Sequence, residues 1–541
     1  MPLLRHGLLT LGLCLSTALS PALIHGDTYP RQPGVDAQHY RFRLTLLTDQ
    51  SNEIQGEAAV TLALSRDDVR EVFLDLATRT ADGKGMTVQT VTAAGRDVAF
   101  SHVNHRLRLP VPAGVTSGQL VTFTIGYRGV PANGLRLINN IHGERTAFSE
   151  NWYNRARQWL PMIDHVADKA TGEFIITTRA EYQVVANGAL VEVADLPAAL
   201  RRTHWREGTP ISSWLFCVGI ARFIVQHEEP VRGVPTSYWA FPQDAQIGLA
   251  ALSRDARGSF EFFLDHVGPY PYEKLAHVQA AGMGGGTEHA SSIFYGEKGV
   301  AAGNAPVVHE IAHQWFGNAV TEADWNDVWL SEGFATYFTL LYTEHARGRD
   351  AFAEGLRQSR QTVLRLEQSL PNTPVIHVNL DDATTSPNNG LVYQKGAWIL
   401  HMLRDQIGVD AFWKGIRLYY QRHYNGTAMT ADLRRAMEQV SGQQLEWFFD
   451  QWLRRSGVPV IAHEWRYDNA AKEIVITVRQ TQPGDPYRLS VDVGLSPPTG
   501  SAQIVTVDMT GREATVRVAA DAAPARLSVD PQVWLLADIR P

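Results

Sequence analysis

Val308-His309-Glu310-Ile311-Ala312-His313-Gln314-Trp315-Phe316-Gly317-Asn318, followed by Trp329-Leu330-Ser331-Glu332-Gly333-Phe334-Ala335, is the stretch that decides how this chain is read. On a helix, positions i and i+4 share a face, so the imidazoles of His309 and His313 can reach one cation while Glu310 lies beside them to handle protons. Eighteen residues separate His313 from Glu332. A carboxylate from a following helix completes a His2Glu set for one Zn2+ per chain, and a fourth position left to water is the catalytic rather than the structural arrangement. A chain of this length and composition matches H-E-x-x-H by accident with an expectation of roughly 0.03, so two ordinary core or surface histidines are the weaker reading.

The neighbouring residues predict the helices that this geometry needs. Asn304-Ala305-Pro306 supplies a cap and a proline near the first helical position, and Val307 to Phe316 contains no breaker before Gly317. Val328 to His345 reads as the second helix. Further out, the period of the hydrophobic pattern changes twice. From His39 to about Val231 it is two, as in Tyr40, Phe42, Leu44 and Leu46 or Val121, Phe123, Ile125 and Tyr127, with turns such as Ala132-Asn133-Gly134 between short strands. Around Pro242 it becomes helical: Leu249, Leu252, Phe260, Phe263 and Leu264 suggest one amphipathic helix, and helices continue to Arg455. After Gly457-Val458-Pro459 alternation returns in Ile474, Ile476 and Val478 and in Leu489, Val491 and Val493. The expected fold class is multidomain α+β: an N-terminal β-sandwich over 27–231, a mainly helical catalytic domain over 232–456, and a small C-terminal β-sandwich over 457–541.

Bulk properties narrow the partners. The 541 residues are 44% hydrophobic and 19% charged, enough for two or three proper cores and free of disordered bias. A net charge of -7 without long runs of either sign offers no footprint for nucleic acid and no polybasic membrane patch. Peptides or small molecules are the expected partners. Residues 1–26 read as a signal peptide, with Arg5 ahead of a short apolar stretch from Leu8 to Leu19 and small residues after it. That predicts an exported protein, periplasmic or secreted, without stable membrane insertion after cleavage. Of the two cysteines, Cys14 leaves with this segment, and Cys217 in Trp214-Leu215-Phe216-Cys217-Val218 reads as a small buried hydrophobe.

The two quoted blocks, together with Val392-Tyr393-Gln394-Lys395-Gly396-Ala397, resemble the aminopeptidase N-like zinc metallopeptidases, family M1 of the gluzincins. Weaker echoes are Arg157-Gln158-Trp159-Leu160-Pro161-Met162-Ile163-Asp164 and Phe449-Asp450-Gln451-Trp452. The resemblance implies a thermolysin-like catalytic domain between two β domains, as in a member lacking the C-terminal helical domain. The family's exopeptidase signature, G-x-M-E-N, corresponds to Gly285-Gly286-Thr287-Glu288-His289, where Thr287 stands for methionine and His289 for asparagine. A glycine-rich edge admits a peptide backbone and a carboxylate at its end can bind a free α-ammonium group. The resemblance therefore implies Glu288 as amine anchor and Gly285 and Gly286 as lining of the substrate strand; on composition alone the stretch reads as a glycine turn with a solvated glutamate. It also implies Tyr393 as hydrogen-bond donor to the oxyanion. Some members add a Gln or Glu from the first domain, and aligning from Arg157 and Pro161 puts Trp152 there, so that role is not carried to the nearby Glu150.

The expected function is zinc-dependent removal of N-terminal residues from peptides with a free N-terminus. Water activated by the metal is the nucleophile, Glu310 the general base and acid, and Asp327 a candidate acceptor behind the histidines. Alternatives on the same fold are an endopeptidase or an epoxide hydrolase, and from another class a non-catalytic peptide-binding scaffold.

Overall fold

Alternation of apolar and polar side chains over Val35–Thr45 and Ile54–Leu64 makes two long strands that bury Tyr40, Phe42, Leu44, Val60 and Leu62 on one face. In the computed structural model, which describes residues 28–376, 390–497 and 501–540, these strands lie at the centre of an eight-stranded sheet. The expected signal peptide lies outside the described residues. All but one pairing in that sheet is antiparallel; the exception joins Val35–Thr45 to Lys169–Arg179. Its inner face shares one apolar core with a four-stranded sheet that contributes Leu137, Ala147, Val184 and Ile220, with Phe216 edge-on to Tyr40 and Phe42. A three-stranded sheet completes this N-terminal β-rich region.

A five-stranded sheet then carries the chain into the helical region. Its order is Ile224–Val231, Val234–Ala240, Leu275–Ala280, Ser292–Gly296 and, at the edge, Gly286–Thr287. The sheet begins at Ile224, ahead of the boundary expected at 231/232, because Ile224 already pairs with Ala240 across a hairpin. The single amphipathic helix expected near Leu249 is two helices, Ala245–Ser253 and Ala256–His266. Asp255, in the left-handed region at φ 60, breaks them apart.

The histidine helix runs Val307–His313, shorter than expected, and the long helix that follows runs Trp329–Arg347. Pro306 occupies the cap position itself and no side chain caps the helix, so Asn304 does not play the expected part. Phe316, just past the histidine helix, packs on Phe334 of the long helix with ring centroids 4.5 Å apart. The long helix meets Gly390–Ile407 at Gly333 and Gly396, where a Cβ on Gly333 would lie 3.0 Å from the Gly396 Cα. Only glycine allows that approach, which brings Glu332 and Tyr393 to the same place.

Beyond Leu453 the chain forms a four-stranded and a three-stranded sheet over Ile476, Val478, Val491 and Val493. Lys395 Nζ ties this C-terminal region to the helices by donating to the carbonyls of Arg455 and Gly457, and His401 Nε2 lies 2.8 Å from the Val533 carbonyl. Among the described residues no helix is long and apolar enough to cross a membrane.

Candidate active site

One helical turn separates His309 from His313, and their Nε2 atoms converge to 3.1 Å. The long helix delivers Glu332 against both: its Oε2 lies 3.4 Å from His309 Nε2 and 3.3 Å from His313 Nε2. Burial is nearly complete for His313 and Glu332, while His309 keeps some exposure toward the cleft. Behind the site, His313 Nδ1 lies 3.1 Å from the Phe316 carbonyl. As an N–H it donates there, which leaves Nε2 as the lone-pair atom facing Glu332. The groups behind His313 are thus a main-chain carbonyl and the Ser331 hydroxyl, 3.0 Å from the same Nδ1, and Asp327 is not involved: its carboxylate accepts from the Thr430 hydroxyl at 2.6 Å.

These three residues fit a zinc ion. Glu332 Oε2 is buried and has no hydrogen-bond partner, an arrangement that costs free energy unless a cation meets it. Two imidazole nitrogens and one carboxylate oxygen lie within 4.8 Å of one another, the donor set of catalytic zinc.

Glu310 is buried on the same helix, and burial, followed by the charges of Glu288 and Glu332, pushes its carboxyl upward. The glycine edge approaches it closely: a Cβ on Gly286 would fall 2.4 Å from Glu310 Oε1. Gly286 pairs with Tyr295 and Gly285 takes φ +69, so the edge strand turns its bare backbone to the cleft. Glu288 follows with Oε1 buried and unpartnered, 4.0 Å from His313 Nε2, and burial pushes its carboxyl up to about 7. Tyr393 donates from its hydroxyl to Glu332 Oε1 at 2.8 Å, with its ring parallel to that of His309. All eight predicted site residues line one cleft of about 680 Å³, which extends past Thr336, Thr339, Gln358 and Gln394. No lysine or arginine is among the described residues that line it.

The departures from the exopeptidase pattern point elsewhere. Thr287 and His289 are buried and do not line the cleft; His289 packs on Phe294, neither ring nitrogen has a partner, and burial pushes it down to about 3. Trp152 packs on Trp325, and Glu150 is held by Arg136 at 3.2 Å and by Arg155. Sequence reading missed Gln314 and Asn318, whose amides both donate to the Glu288 carbonyl. Their signal was present in the quoted block, as two amide side chains where the end of an apolar helix is buried.

The model described as Peptidase family M1 domain matches residues 260–452, and that described as Peptidase M1 N-terminal domain matches residues 36–215. The chain is 30% identical over 322 residues to the glutamyl aminopeptidase of Bitis rhinoceros, covering 57% of this chain and 34% of the relative. It is 30% identical over 336 residues to the tricorn protease-interacting factor F2 of Thermoplasma acidophilum, covering 57% of this chain and 41% of the relative. The chain thus spans well under half the length of these curated relatives. An M1 zinc metallopeptidase crystal structure from Deinococcus radiodurans superposes with a TM-score of 0.68 at 22% identity, over 80% of this chain and 96% of that one, a likeness of fold.

Proposed function

This chain belongs to peptidase family M1, and on that premise we propose that it is an aminopeptidase dependent on one zinc ion, hydrolysing the first peptide bond of peptides with a free N-terminus. One observation carries the reading: His309, His313 and Glu332 converge around an unpartnered carboxylate oxygen, in a cleft whose glycine edge ends in a second unpartnered carboxylate, Glu288. His309, His313 and Glu332 would hold the metal, which when bound supplies Lewis-acid polarisation of the carbonyl and an acidified water. Glu310 takes the proton of the attacking water and returns it to the leaving amine. Tyr393 exchanges Glu332 Oε1 for the developing oxyanion. Gly285 and Gly286 lie along the substrate backbone, and Glu288 receives the α-ammonium group.

The glutamyl preference in one relative's name is not carried over, because among the described residues the cleft offers an acidic side chain no lysine or arginine. We further propose that the N- and C-terminal β regions are sandwiches flanking a thermolysin-like domain, and that residues 1–26 export the protein; N-terminal sequencing of fractionated material tests the latter.

The decisive assay compares aminoacyl chromogenic substrates with free and acetylated amino termini, with and without a chelator. Chelator-sensitive turnover of the free-amine substrates is expected, strongest on neutral residues. Turnover of the acetylated compounds alone would remove the aminopeptidase reading. Glu310→Gln is expected to abolish turnover while retaining the metal.

A further inference from the structure

Glu288 is held by its backbone. Its carboxylate Oε1 has no hydrogen-bond partner, whereas its carbonyl oxygen accepts from Gln314 Nε2 at 3.0 Å and Asn318 Nδ2 at 2.6 Å. Both amides are fully buried. Gln314 is itself fixed at its other end, where Oε1 accepts from the Ser291 N–H at 3.0 Å. With no hydrogen bond at Oε1 and only the ion-pair approach of His313 Nε2 at 4.0 Å, the side chain takes its aim largely from where its main chain is anchored, so the placement of these two amides bears on where the carboxylate points.

Asn318 lies in the turn that leaves the histidine helix, with its N–H on the His313 carbonyl at 3.1 Å. The far side of that turn is held from another part of the molecule. Lys169, first residue of the strand Lys169–Arg179 in the N-terminal β-rich region, donates from Nζ to the Asn318 carbonyl at 2.9 Å and the Ala319 carbonyl at 3.0 Å. Thr321 Oγ1 adds a second donor to the Asn318 carbonyl at 2.8 Å. Nearby, Glu322 has both carboxylate oxygens buried without a hydrogen-bond partner; burial pushes the Lys169 ammonium group down to about 7, a shift that the neighbouring Glu322 carboxylate opposes. Through Asn318, hydrogen bonds therefore link Lys169 of one region to the carbonyl of Glu288 in the other.

We infer that Lys169, acting through Asn318, is a positioning residue that sets the aim of the Glu288 carboxylate at the substrate's α-ammonium group. The inference rests on the reading of Glu288 as amine anchor. It makes the junction between the two regions part of the machinery for recognising a free N-terminus, where a merely structural tie would affect every ligand alike.

The test is calorimetric binding to the zinc-loaded full chain of two compounds that differ only in the amine: leucine hydroxamate and its desamino analogue, 4-methylpentanohydroxamic acid. In Asn318→Leu and Lys169→Met the preference for the amine compound is expected to shrink about tenfold, with affinity for the desamino compound within about twofold of the parent. Equal weakening of both compounds, or an unchanged preference in a variant series where Glu288→Ala abolishes it, overturns the relay. Retention of the preference in Glu288→Ala overturns the anchor reading and the relay with it. Should Lys169→Met not yield folded protein, Lys169→Gln takes its place under the same outcomes.

Discussion

Tyr393 spends its hydroxyl hydrogen on Glu332 Oε1, so the donor proposed for the oxyanion is already oriented by the residue proposed to hold the metal. Tyr393→Phe removes a donor made useful only as charge develops, and kcat is expected to fall about a hundredfold, about 3 kcal/mol, with KM little changed in steady-state assays. His289 illustrates the opposite kind of residue. It replaces the asparagine of the family pattern, yet its ring is fully buried, unpartnered and outside the cleft. Burial lowers its pKa to about 3, so between its ordinary value and that one the unfolded chain binds a proton that the folded chain does not. Stability attached to this residue is whole above pH 7 and drains away as pH falls through the mid-6 range. Relative to His289→Leu, the parent is expected to lose about 2 kcal/mol between pH 7.5 and pH 5, read from urea midpoints at each pH.

At the scale of elements, the site depends on glycines that let backbones approach. Gly317, at φ +108, lies in the turn after the histidine helix, where a Cβ would meet the Ser331 hydroxyl at 2.2 Å and His313 Nδ1 at 3.3 Å. Gly317→Ala therefore combines backbone strain with a clash against a proposed ligand, and is expected to cost about 2–3 kcal/mol in denaturant titration and to weaken zinc retention during dialysis. Sequence pattern found the existence of the histidine helix and the long helix but misjudged their margins. Helix ends are decided by caps and by where the chain must turn, and here Pro306 takes the cap position without a side-chain bond. The single helix expected near Leu249 failed for a related reason. Its apolar period runs through Asp255, and only the tertiary setting, in which that carboxylate meets Arg347 at 3.0 Å, shows the break.

For the molecule as a whole, the helix that carries Tyr393 is tied to the C-terminal region through Lys395. Its fully buried ammonium group pairs with Glu367 at 2.7 Å and donates to the carbonyls of Arg455 and Gly457. Removing the cation strands a buried carboxylate, so Lys395→Met is expected to destabilise the protein by about 3 kcal/mol, visible as a lowered urea midpoint. Glu367 also accepts from the Gly457 N–H at 2.9 Å, so the same change is expected to loosen the linker, read as faster amide exchange after Leu453.

The proposed metal ligands and base were legible in the sequence alone, because a helix converts the spacing of His309, Glu310 and His313 directly into a shared face, and the alternation of strands likewise needs only local periodicity. The backing of His313 by a main-chain carbonyl, the hold of Gln314 and Asn318 on Glu288, and the reach of Lys169 between regions were decided only by the tertiary structure. Each joins groups whose separation along the chain carries no periodic trace, and a hydrogen bond between such groups exists only once packing has brought a particular donor and acceptor within about 3 Å.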